Sequence, residues 1–77
     1  MQITLHLKGP LKKYGDNIEP LMVELEHAQV KLREIIEQLE IPASSISFIQ
    51  INGEKSDPDT VLTGGEVVVV NPRVAGG

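Results

Sequence analysis

Leu32, Ile35, Ile36 and Leu39 fall at i, i+3, i+4 and i+7, and they form the chain's single apolar helical stripe. The other apolar runs alternate with period two or are β-branched, which is the pattern of strands. One helix with one apolar stripe can bury it only against one face of a sheet, so the fold class is α+β. Seventy-seven residues make one small domain, and such a chain buries about 60–65% of its unfolded surface. Only Tyr14 and Phe48 are aromatic, so Ile, Leu and Val must build the core.

The opening strand is residues 1–8, with Ile3, Leu5 and Leu7 inward and Thr4 and His6 outward. Gly9-Pro10 ends it, because proline cannot donate to a ladder. Residues 11–17 read as a loop. A second strand follows over about residues 21–25, with Leu21, Val23 and Leu25 on one face. The helix is expected to stop near Glu40, since Ile41 precedes Pro42 and is pushed out of the α region. Its start lacks the usual Ser, Thr or Asp cap around Gln29–Lys31.

Residues 46–52 read as a third strand with Ile49 and Ile51 inward, closed by an Asn52-Gly53 tight turn. Residues 54–56 can add a short strand, and Leu62 reads as a core plug. Thr63-Gly64-Gly65-Glu66 is a turn, and Val67–Val70 is a β-branched run suited to a central strand. A central last strand lies parallel to the first, joined through the helix by a crossover. That arrangement is a ubiquitin-like β-grasp, a mixed four- to five-stranded sheet packed on one helix. The domain is expected over 1–72 and a C-terminal tail over 73–77.

The formal charge is −4 and the only adjacent basic pair is Lys12–Lys13, which argues against nucleic acid. There is no cysteine, so disulfides, thiolate metal sites and a catalytic thiol are excluded. His6 and His27 stand alone, and no metal is expected. Glu24, Glu26, Glu34, Glu37 and Glu40 fall on strand and helix positions that face water. No apolar run nears 18 residues and no signal peptide is present, so no membrane is expected and the reading is cytoplasmic.

The sequence ends in Gly76–Gly77. Glycine has no Cβ, so a tail built from it is thin enough to thread a narrow channel and present its α-carboxylate there. Alone, the pair equally fits a frayed end or a cloning scar. What precedes it decides. Ile51-Asn52-Gly53-Glu54, Asp59-Thr60-Val61-Leu62, Gly64-Gly65-Glu66-Val67 and Pro72-Arg73-Val74-Ala75-Gly76-Gly77, in this order and spacing, resemble the MoaD/ThiS sulfur-carrier family. The resemblance spans most of the chain.

That resemblance implies a non-catalytic protein substrate. An E1-like adenylyltransferase would use ATP and Mg²⁺ to adenylate the Gly77 carboxylate, and a sulfur source would convert it to a thiocarboxylate. Gly76 and Gly77 are the reactive end, and no cofactor is expected on the chain itself. Chain length and the 9–17 loop resemble the molybdopterin branch, whose second partner would be a larger sulfur-accepting subunit of the molybdopterin synthase type. Pro72-Arg73 departs from the family's usual Pro-Pro, and Val70-Asn71 from its frequent aromatics. Thiamine thiazole synthesis, tRNA thiolation and ubiquitin-like protein modification therefore stay open. A β-grasp binding module with an inert tail is the reading of a different class.

The period-two pattern also marks a docking face. With Val67 and Val69 set toward the helix, Val68 and Val70 face outward together with Phe48, Thr4 and His6. An exposed apolar patch marks a partner site, here at the root of the tail. Arg73, Val74 and Ala75 complete the expected partner contacts, with Arg73 opposite an acidic group of the activating enzyme.

Overall fold

The computed structural model describes residues 1–73. Five strands form one mixed sheet: β1 (Gln2–Leu7), β2 (Leu21–Glu24), β4 (Ile46–Ile51), β5 (Glu54–Ser56) and β7 (Val67–Pro72). Their order is β2-β1-β7-β4-β5, and β3 (Val30–Lys31) pairs with β6 (Val61–Leu62) in a separate two-stranded ribbon. The last strand is central. It runs parallel to β1, with Leu5 opposite Val68 and Leu7 opposite Val70. It runs antiparallel to β4, with Ile49 opposite Val70 and Ile51 opposite Val68. The expected β-grasp is the observed architecture.

The inner face of the sheet carries Ile3, Leu5, Leu7, Ile49, Val68 and Val70, all buried. Leu32, Ile35 and Ile36 of α1 (Leu32–Gln38) cover it. Leu11, Leu25, Val30, Ile41 and Leu62 plug its margins. Of the segment expected as a loop over 11–17, residues 11–15 belong to a 3-10 helix over Gly9–Gly15, and only Asp16 and Asn17 are a turn. It forms because Leu11 has a core site to fill, an incentive that local turn chemistry does not reveal.

The helix start explains its missing cap. The Leu32 N–H donates to the Thr60 carbonyl at 3.0 Å and the Arg33 N–H to the Pro58 carbonyl at 2.7 Å. Glu34 reaches back to accept the Lys31 N–H at 3.0 Å. Loop carbonyls on one side and the Glu34 carboxylate on the other do the work of a cap side chain.

The helix end is a Schellman closure. The Ile41 N–H donates to the Ile36 carbonyl at 3.1 Å and the Glu40 N–H to the Glu37 carbonyl at 3.0 Å, with Glu40 left-handed at φ 58. Buried Ile36 and Ile41 are the two positions such a motif brings together. A left-handed non-glycine residue costs about 1–2 kcal/mol, and an acidic one is also unfavourable at a helix C-terminus. Glu40→Gly is therefore expected to stabilise the domain by about 1 kcal/mol, a rise of roughly 4–8 °C in Tm. Thermal melts followed by circular dichroism check this; an unchanged or lower Tm refutes it.

The turn before β7 fixes that strand's register. Gly64 and Gly65 take φ of 115 and 84, where side chains are strained. The Glu66 carboxylate accepts N–H bonds from Thr63 at 2.8 Å and Gly64 at 2.7 Å. The Thr4 N–H then donates to the Glu66 carbonyl at 3.0 Å, which sets β7 against β1. Partial burial pushes the Glu66 carboxyl up, but the backbone donors outweigh it and hold it below the ordinary glutamate value. A carboxyl depressed in the folded state stabilises above its unfolded value, and that stability is lost as pH falls through the folded one. Glu66→Gln is expected to cost about 1–2 kcal/mol at neutral pH and to flatten the acid limb of a stability-against-pH curve. Denaturant titrations of both proteins at neutral and acidic pH measure the difference.

Among the described residues, no helix is long and apolar enough to cross a membrane, and no group of three His, Cys, Asp or Glu could hold a metal ion.

Candidate functional site

The outer face of the sheet is built in cross-strand rows. Met22, Thr4 and Val67 are register partners in the first row. His6, Val69 and Gln50 form the second. Asn71 and Phe48 form the third, one residue before Pro72, which pairs with Ile46. The face is half-open and mixed: Val67 is 40% exposed, Phe48 38%, and Met22 also stands out. Phe48, Thr4 and His6 face outward as expected.

Val68 and Val70 do not. Both are 0% exposed and pack in the core, so the expected outward pair is inward, and Val67 and Val69 take the outer positions. Four consecutive valines carry no polar residue to break the tie between the two faces. The Glu66 turn breaks it, by placing Leu5 beside Val68. Phe48 stays outward because it alternates with buried Ile49 on its own strand, and the unbroken register from Phe48–Asn71 to Ile51–Val68 puts Val70 and Val68 on the inner face with Ile49 and Ile51.

The root of the tail is held firmly. The Arg73 N–H donates to the Ser45 carbonyl at 2.9 Å. Beside it, Asn71 Nδ2 is buried and has no hydrogen-bond partner among the described residues. A buried unpaired donor costs about 1–3 kcal/mol, and no sequence pattern pointed to it. His6 bonds to Glu19 across the outer face, a contact between residues 13 apart that periodicity does not show. Arg33 makes a two-pronged pair with Asp59 at 2.8 and 3.2 Å, joining the helix to the 57–60 loop. Hydrogen bonding to Asp59 raises the Arg33 pKa. The reciprocal bond lowers that of Asp59.

Among the expected site residues, Val74, Ala75, Gly76 and Gly77 lie outside the described residues. The described residues form their platform: a central strand running between β1 and β4, then Pro72 and Arg73, with a half-open mixed face alongside.

A family model described as Mut7-C ubiquitin matches residues 11–76. The chain belongs to that ubiquitin-like family. No relative with a curated description matches it. Solved structures share its fold. One is SAMP1 from Haloferax volcanii, with TM-score 0.75 and 13% identity over 100% of both chains. Another, from Pyrococcus furiosus, is assigned as molybdopterin converting factor subunit 1; it has TM-score 0.73 and 18% identity over 96% of this chain and 99% of that one. A third is the complex of subunits 1 and 2 of molybdopterin-converting factor from Helicobacter pylori, with TM-score 0.64 and 23% identity over 100% of both chains. The MoaD/ThiS resemblance thus holds for family type and fold: this Mut7-C ubiquitin chain is a β-grasp protein of the ubiquitin-like kind.

Proposed function

We propose that this chain is a sulfur carrier whose reactive group is the α-carboxylate of Gly77, acting in molybdopterin synthesis. The observation that carries the reading is that the central strand of a ubiquitin-like platform runs, in sequence, directly into Pro72–Gly77. Structural neighbours include subunit 1 of molybdopterin converting factors, one of them in complex with subunit 2. The domain is residues 1–72 and the tail 73–77.

The chemistry belongs to partners. A terminal carboxylate has a pKa of about 3.3–3.7 and is ionised at neutral pH. In an E1-like adenylyltransferase holding ATP and Mg²⁺, its oxygen attacks the α-phosphorus and pyrophosphate leaves. Hydrosulfide then attacks the acyl carbon, AMP leaves and the S–H proton is lost to solvent, giving the thiocarboxylate. With no cysteine in the chain, a persulfide on this protein is closed as a route. A larger subunit would receive the sulfur. Threading four or five tail residues costs about 5–10 kcal/mol of backbone entropy. Docking of the outer face, through Phe48, Val67 and Val69 with Arg73 beside them, offsets that and leaves an affinity low enough for release.

Intact mass tests the reading. The protein is first weighed as its host makes it, which checks that Gly77 is the last residue. It is then incubated with the host's activating enzyme, ATP, Mg²⁺ and a sulfur donor. Exchange of one oxygen for sulfur is the expected result. Adducts on lysines of other proteins would instead make it a ubiquitin-like modifier, and no change of either kind would leave it a binding module.

A further inference from the structure

The opposite side of the sheet carries a second feature, which the carboxylate chemistry does not use. β5 is the edge of the sheet, and it pairs only with Ile49, Gln50 and Ile51 of β4. The same edge of β4 at Ile46–Phe48 has no strand beside it among the described residues. A cavity of about 370 Å³ opens next to that stretch, between the last turns of α1 and the loop after β5. Ile36, Ile41, Ala43, Ile46 and Pro58 give it an apolar floor and walls.

Bare strand edges recruit further strands unless they are covered. A bare edge alone fits any polypeptide, and an apolar cavity alone fits any apolar group. Together they specify an extended peptide: backbone groups for the edge, and aliphatic side chains at alternate positions for the cavity. The charges add a sign. Glu37 and Asp57 sit on opposite rims of the cavity. Arg33, on the helix rim, is held by Asp59. Lys55 also borders the cavity, but it is opposite Gln50 in the register of the sheet's outer face. The rims therefore favour a cationic strand, as does the net charge of −4.

The geometry points to a peptide-docking groove at Ile46–Phe48, which takes an extended partner segment with aliphatic residues alternating with basic ones. The segment adds to β4 beyond the end of β5 and lies against α1. Its near end is at Ser45 and Ile46, where Arg73 and Pro72 also attach. The groove functions whether or not Gly77 is ever activated.

The test uses the full chain, ¹⁵N-labelled, and the blocked peptide Ac-Lys-Val-Lys-Ile-Lys-Val-Lys-NH₂. Amide shifts are expected at Ile36, Ile41 and Ile46–Ile49, with slowed hydrogen exchange along Ile46–Phe48. The same peptide with alternate backbone nitrogens methylated along its edge-pairing side is expected to bind at least tenfold more weakly. Glu37→Lys, an exposed change, is expected to weaken the parent peptide several-fold while leaving the protein's Tm in place. Equal binding of the methylated peptide overturns strand addition. Shifts centred on Val67 and Val69, or none at millimolar peptide, overturn the groove.

Discussion

Val68→Asp is expected to leave no folded domain at 25 °C. A chain of this length holds about 4–12 kcal/mol of stability in total. Val68 is 0% exposed and lies between Leu5 on β1 and Ile51 on β4. Removing its buried side chain forfeits about 1.5–3 kcal/mol. Placing a carboxyl there without a partner costs about 2–7 kcal/mol more, even when it is protonated. Val67→Asp, one residue earlier and 40% exposed, is expected to cost no more than about 1 kcal/mol, mainly through lost β-propensity. It should keep a cooperative melt and still weaken docking to the activating enzyme. Urea titrations of both variants decide the matter. A stable Val68→Asp protein would return Val68 to the outer face and overturn the register described above.

Deleting Gly76 and Gly77 is expected to abolish oxygen-to-sulfur exchange while leaving the Tm within a degree or two. The reason is topological. Among the described residues, the buried core ends at Val70 and the last backbone hydrogen bond is that of the Arg73 N–H. On the carrier reading, Gly76 and Gly77 contribute the functional group. Exchange that persists in the deleted protein would place the activated group elsewhere and defeat the carrier reading. A large drop in Tm would show that the tail belongs to the fold.

The elements themselves were readable. Leu32, Ile35 and Ile36 cover the sheet because a 3.6-residue period puts them on one side. Ile3, Leu5 and Leu7 are inward because a strand alternates. Asn52-Gly53 turns the chain because both residues accept positive φ, here 53 and 85. Glu40, Leu11 and the helix start were less readable. Each depends on a partner distant in sequence or on a closure that local preference opposes.

The proposed site divides the same way. The tail and its glycines are a statement of sequence alone, and so is the absence of cysteine, which closes a persulfide route. Phe48, Thr4 and His6 could be set outward by their own strands. The valine face could not, because a homogeneous β-branched run is equally good either way round. Only the tertiary structure chose. The Glu66 turn and its bond to Thr4 pinned β7 to β1, and pairing then buried Val68 and Val70. The groove beside Ile46–Phe48 has the same origin, since it exists because β5 stops short of the start of β4. Periodicity determines which residues share a face of an element. Which way that face turns, and what is left uncovered, is set by hydrogen bonds between residues far apart in the chain.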